Sequence, residues 1–170
     1  MRRGEAMGQD RPGSYLLFIA LDGPVRIRVG ALGEQDFPAG TYIYCGSALN
    51  GLHARVARHL RPERKAHWHV DHLLAQGQPV GALLVYSEAR LECRLAEKLS
   101  RLEGVRRHVP GFGASDCRCP GHLLLCEEPV QAVGGAIQGV LNRLQDGPLE
   151  QRQGQGDEDG TLAFRETARQ

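Results

Sequence analysis

The sequence predicts an α+β domain: a small mixed or antiparallel β-sheet flanked by helices. Three observations predict it. Short apolar runs bounded by glycine and proline read as strands. Two later stretches carry apolar residues at helical spacing. The two kinds of segment mix without strict βαβ alternation, which favours α+β over a doubly wound fold. A chain of 170 residues with 41% hydrophobic residues suits one core of ordinary size.

The elements follow in order. GSYLLFIAL (13–21) reads as a buried strand. Asp22-Gly23 is a hairpin turn signal. VRIRVGAL (25–32) alternates apolar and basic residues, as a half-exposed partner strand would. Pro38-Ala39-Gly40 breaks the chain before a strand at TYIYCGS (41–47). Asn50 is placed to cap a helix that runs to Leu60 and stops at Pro62. HWHVDHLLAQ (67–76) reads as a second helix ended by Gly77, and VGALLVYSE (80–88) as a third core strand. LECRLAEKLSRL (91–102) sets Leu91, Leu95, Leu99 and Leu102 on one stripe. Residues 108–121 form a loop with three glycines and two prolines. HLLLCEE (122–128) is a short strand, and residues 129–144 form a helix with a proline at its start. The folded domain therefore spans 13–144. Residues 1–12 and 145–170 are expected to be disordered termini, the latter lacking apolar periodicity.

Composition limits the partners. No run of about 20 apolar residues is present, so no membrane span is expected. The basic start lacks the apolar segment of a secretory signal, and five cysteines are an odd number, which points to a reduced, cytoplasmic protein. Residues 146–170 hold six acids and three arginines, which leaves 18 basic and 14 acidic residues in the body. Arg55, Arg58, Arg61, Arg64 and Lys65 crowd one short region, a modest footprint for phosphate.

Gly13-Ser14-Tyr15 lies on the first strand and Tyr44-Cys45-Gly46 on the next core strand. Arg55 and His59 stand one helical turn apart beyond them. These residues, with YCGSA, HWHVDHLL, ECRLAEKL and GFGASDCRCPGHL, resemble the GIY-YIG nuclease superfamily over roughly residues 13–128. Together they look like a small, largely uncharacterised branch of it, whose members stand alone or are sometimes fused to endonuclease III-type glycosylases. The resemblance implies a metal-dependent endonuclease acting on DNA, with a possible place in repair. It implies catalytic roles for Tyr15, Tyr44, Arg55 and His59, and a divalent ion at Glu92.

Each role has a physical rationale. Arg55 offers a planar fork for two phosphate oxygens and keeps its charge. Tyr15 or Tyr44 could take a proton from water, if nearby cations lowered a pKa that is ordinarily about 10. His59 could orient a tyrosine or act as an acid or base. Glu92 suits one Mg²⁺ or Mn²⁺, which take oxygen ligands, with Glu97 as an alternative carboxylate. Arg58, Arg61, Arg64, Lys65, His67 and His69 are the expected nucleic-acid contacts. Cys117, Cys119 and His122 are candidate zinc ligands, with Cys126 or Cys93 as a fourth. Cysteines packed as small hydrophobes are the competing reading. The alternatives to an enzyme are a non-catalytic nucleic-acid-binding module on the same fold and a zinc-stabilised interaction domain.

Overall fold

The computed structural model describes residues 10–63 and 65–145. Its elements are β1 (Gly13–Leu21), β2 (Val25–Arg28), a 3₁₀ turn (Gly30–Leu32), β3 (Glu34–Phe37), β4 (Gly40–Ala48), α1 (Leu52–Leu60), α2 (His69–Leu74), β5 (Gln78–Tyr86), α3 (Glu92–Leu99), β6 (Val105–Arg107), β7 (Leu123–Cys126) and α4 (Val130–Gln145). Five strands form one sheet in the order β5-β1-β4-β7-β6, and every pairing in it is antiparallel. The expected α+β class is therefore the observed one.

β1 is apolar on both faces because the sheet is covered on both faces. Tyr15, Leu17 and Ile19 point to one side, where α1, α2 and the β2–β3 ribbon supply Leu52, Val56, Val70, Leu73, Ile27 and Phe37. Leu16 and Phe18 point to the other, where α3 and α4 supply Leu95, Leu99, Val133 and Ile137. A one-residue slip would exchange these two sets, so the apolar run fixes the register through its partners rather than through alternation.

Several expectations are corrected. β2 does not pair with β1, whose two edges are occupied by β4 and β5. It pairs instead with β3 in a separate two-stranded ribbon. Asn50 does not cap α1. The N-cap is Gly51, at φ 134°, and the capping carboxylate comes from Asp10. Asp10 accepts the His53 and Ala54 N–H groups at 2.8 and 2.7 Å. Residues 10–12 were expected to fray, yet Arg11 and Pro12 carbonyls accept the N–H groups of Leu52 and Ser87. The remaining expected tails, 1–9 and 146–170, and Arg64 lie outside the described residues.

Candidate functional site

β1 and β4 are neighbours, and their alternation puts Tyr15 and Tyr44 on one face with ring centroids 6.2 Å apart. Gly46 is the cross-strand partner of Tyr15. A Cβ at Gly46 would stand 2.5 Å from the Tyr15 hydroxyl, so the glycine makes room for that side chain. α1 packs against this face and brings Arg55 and His59 to it. His59 is fully buried, with Nε2 2.9 Å from the Tyr15 hydroxyl.

Behind His59 stands Asp71, on α2. His59 Nδ1 lies 3.4 Å from Asp71 Oδ1, an ion-pair distance without hydrogen-bond alignment. Arg58 donates to both Asp71 oxygens at 3.0 and 3.1 Å, and the His67 and Trp68 N–H groups donate at 2.8 and 2.9 Å. The guanidinium carbons of Arg55 and Arg58 sit 4.2 and 4.4 Å from the centroid of the Trp68 ring. Such cation–π contacts hold the planar groups in place.

The electrostatics follow from burial and partners. Burial opposes ionisation of Asp71, but the nearby His59 ring and hydrogen bonds from Arg58 and two backbone N–H groups outweigh it and hold the carboxyl far below its usual range. Burial pushes His59 below its ordinary value, although Asp71 pulls the other way, so the ring is neutral near pH 7. Burial raises both Tyr15 and Tyr44 well above the ordinary tyrosine value. Arg55 acts on Tyr15 in the opposite direction and does not prevail. Of the cations that could lower a tyrosine pKa, Arg55 alone does not offset the burial of either hydroxyl.

Tyr15, Tyr44, Arg55 and Glu92 all border one open cleft of about 230 Å³, as do His67 and His69. Glu92 opens α3 and reaches the cleft from the opposite layer of the domain. Ser47 Oγ donates to Glu92 Oε2. Arg90 joins Glu92 to Asp116, at 3.0 Å from one carboxylate and 2.6 Å from the other. His69 Nδ1 accepts the Gly113 N–H at 3.0 Å.

The other expected contacts take different places. His59 backs the cleft instead of lining it. Arg58 is engaged by Asp71 and by the Lys65 carbonyl, and so braces the site from behind the cleft. Arg61 and Lys65 are exposed but do not border the cleft. Glu97 pairs with Arg101 and Arg107 away from it. Asp71 lies in the stretch that the sequence reads only as a second helix. Its partnership with α1 depends on tertiary packing, which spacing along one helix does not reveal.

A second cluster adjoins the cleft. The ligand atoms of Cys93, Cys117, Cys119 and His122 all lie within 4.8 Å of one another. The fourth member is Cys93, next to Glu92; Cys126 is buried in β7 instead. Packing as small hydrophobes describes Cys45 and Cys126, but not the clustered three. Three sulfurs and an imidazole could hold a metal ion, and that donor set favours zinc.

Among the described residues no helix is long and apolar enough to cross a membrane. No curated protein and no solved structure matches the chain. A family model does match residues 14–144, from the second residue of β1 into the last turn of α4, and so covers the cleft and the cysteine cluster. The chain belongs to the family described as Domain of unknown function DUF123.

Proposed function

We propose that the domain is a divalent-metal-dependent endonuclease that hydrolyses phosphodiester bonds in DNA. The observation that carries this reading is the convergence of Tyr15, Tyr44, Arg55 and Glu92 on one open cleft, with His59 and Asp71 lined up behind Tyr15. The motif resemblance to GIY-YIG nucleases supports it, and the glycosylase fusions of the resembled branch suggest a place in DNA repair.

Arg55 is the phosphate-binding group, oriented by Trp68 and able to meet two non-bridging oxygens. Tyr15 serves as a proton relay. A neutral His59 protonated on Nδ1, toward Asp71, leaves Nε2 as the acceptor for the Tyr15 hydroxyl. The tyrosine oxygen then has lone pairs directed at the cleft. As water attacks phosphorus and the in-line ester P–O bond breaks, the water's proton passes to the tyrosine oxygen while the Tyr15 proton passes to His59, and the leaving oxygen takes a proton from solvent. The imidazolium so formed rests beside the Asp71 carboxylate. This relay needs no tyrosinate, which agrees with the raised pKa of both tyrosines. The Tyr44 hydroxyl is a further donor for a phosphate oxygen.

Glu92 and Asp116 are hard oxygen donors drawn to one cation, the half-exposed Arg90, and an ion of similar charge preference fits the same wall. Mg²⁺ or Mn²⁺ held at Glu92 would supply charge neutralisation at the phosphate and the leaving oxygen. Incubating the protein with nicked, branched and single-stranded DNA, and matched RNA, tests the reading. DNA cleavage is expected with Mg²⁺ or Mn²⁺ and none with a chelator. DNA binding without cleavage under any of these conditions would make the domain a binding module.

A further inference from the structure

We propose that Cys93, Cys117, Cys119 and His122 bind one Zn²⁺, and that this ion clamps the 108–122 loop to the first turn of α3, fixing the cleft wall that carries Glu92. The proposal stands apart from the nuclease reading, because it concerns metal content and loop order, not cleavage.

The donor geometry comes first. Zinc bonds of about 2.3 Å to sulfur and about 2.0 Å to nitrogen place tetrahedral ligand atoms roughly 3.5–3.8 Å apart. His122 Nε2 stands 3.4 Å from Cys93 Sγ and 3.5 Å from Cys117 Sγ, and Cys93 and Cys119 sulfurs are 3.6 Å apart. These are already tetrahedral edges. The Cys117–Cys119 and Cys119–His122 contacts, at 2.9 and 2.7 Å, need to open by about 1 Å or less to reach them. Four protein ligands leave no open position, so the site is structural and not a place for substrate.

The support around the imidazole is also in place. The His122 N–H donates to the Phe112 carbonyl at 2.7 Å, and its carbonyl accepts the Cys45 N–H at 2.9 Å. These two bonds fix the backbone from which the ring points Nε2 at the sulfurs.

The loop has reason to need a clamp. Between β6 and β7 it forms no regular element and holds Val109 at φ 57°, a strained position for a β-branched residue. Gly113 in the same loop, at φ 74°, lies against the Tyr44 ring, where a Cβ would come within 2.8 Å of Cε2. The loop is thus a wall of the cleft. Cys93 ties it to α3 beside Glu92, in parallel with the link from the buried Glu92 through the exposed Arg90 to Asp116.

Elemental analysis of the reduced, full-length protein tests the claim. About one zinc per chain is expected, falling to about a tenth or less in Cys117→Ser/Cys119→Ser, with Cys126→Ala unchanged. Should the double variant fail to fold, Co²⁺ titration of chelator-stripped wild type provides a second measurement. It should give the intense visible bands of a tetrahedral, thiolate-rich site. Trypsin cleavage after the exposed Arg118 should accelerate several-fold when zinc is removed. Zinc-free reduced protein with no tetrahedral cobalt spectrum would overturn the site. An unchanged rate of cleavage at Arg118 would overturn the clamp.

Discussion

Asp71 sets the protonation pattern behind the cleft. Its carboxylate collects Arg58, two backbone N–H groups and the His59 ring, so the negative charge is matched although the side chain is 1% exposed. Two pH effects of the same sign follow. His59 titrates lower in the folded chain than its ordinary value of about 6.5, so stability is full above that value and declines as pH falls toward the folded pKa. Burial lowers His69 and His108 as well, which adds to the same step. Asp71 is also depressed on folding, so its contribution is intact above about pH 4 and is lost as pH falls further. The thermal midpoint should therefore drop in two stages on acidification, one beginning below about pH 6.5 and one below about pH 4. A midpoint that stays level from pH 7 to about pH 5 would contradict the neutral, buried His59. Tyr15, Tyr44, Arg55 and Glu92 were legible in the sequence because they sit on strand and helix positions whose order carries the resemblance. The pairing of Arg58 with Asp71 was not legible, because helical spacing shows which residues share a face, but not which face meets a buried carboxylate.

Glycine decides how closely the elements approach. β1 and β4 can set Tyr15 against the sheet because Gly46 has no side chain, and the hydroxyl then reaches α1. Gly46→Ala should force the Tyr15 ring off His59 and destabilise the fold by about 1–3 kcal/mol, as over-packing of a tight core does. Urea unfolding measures it, and a stability equal to wild type would show that the ring has room to spare. Long elements were readable: β1, β4 and β5 as apolar runs, α3 by its leucine stripe. β3 and β6 were not. EQDF and VRR each bury a single residue, Phe37 and Val105, which leaves no periodic signal over so few positions. β2 showed the right alternation but the wrong partner, because the pairing of β1 with β5, more than fifty residues later, takes the edge that a hairpin would have used. Cys93, one of the two fourth ligands the sequence offered, joins the cysteine–histidine cluster from a helix, outside the local Cys-x-Cys pattern that could not choose between them.

The whole molecule is a three-layer arrangement in which the sheet is a partition. α1 and α2 deliver Arg55, Trp68 and the His59–Asp71 pair from one side. α3 delivers Glu92 from the other, and the 108–122 loop closes the wall between them. Groups from both layers meet where Ser14 on β1 and Ser47 on β4 hydrogen-bond each other, and Ser14 accepts the Leu91 N–H. That meeting of a fixed cation, a relayed hydroxyl and a carboxylate is the central claim. It is tested most directly by the single-turnover rate of metal-dependent DNA cleavage in wild type and Arg55→Ala. Arg55 is half-buried and outside the apolar core, so the variant should fold normally. The expected loss is about a hundredfold, the effect of removing one donor that stabilises transition-state charge. Equal rates in the two proteins would contradict the account.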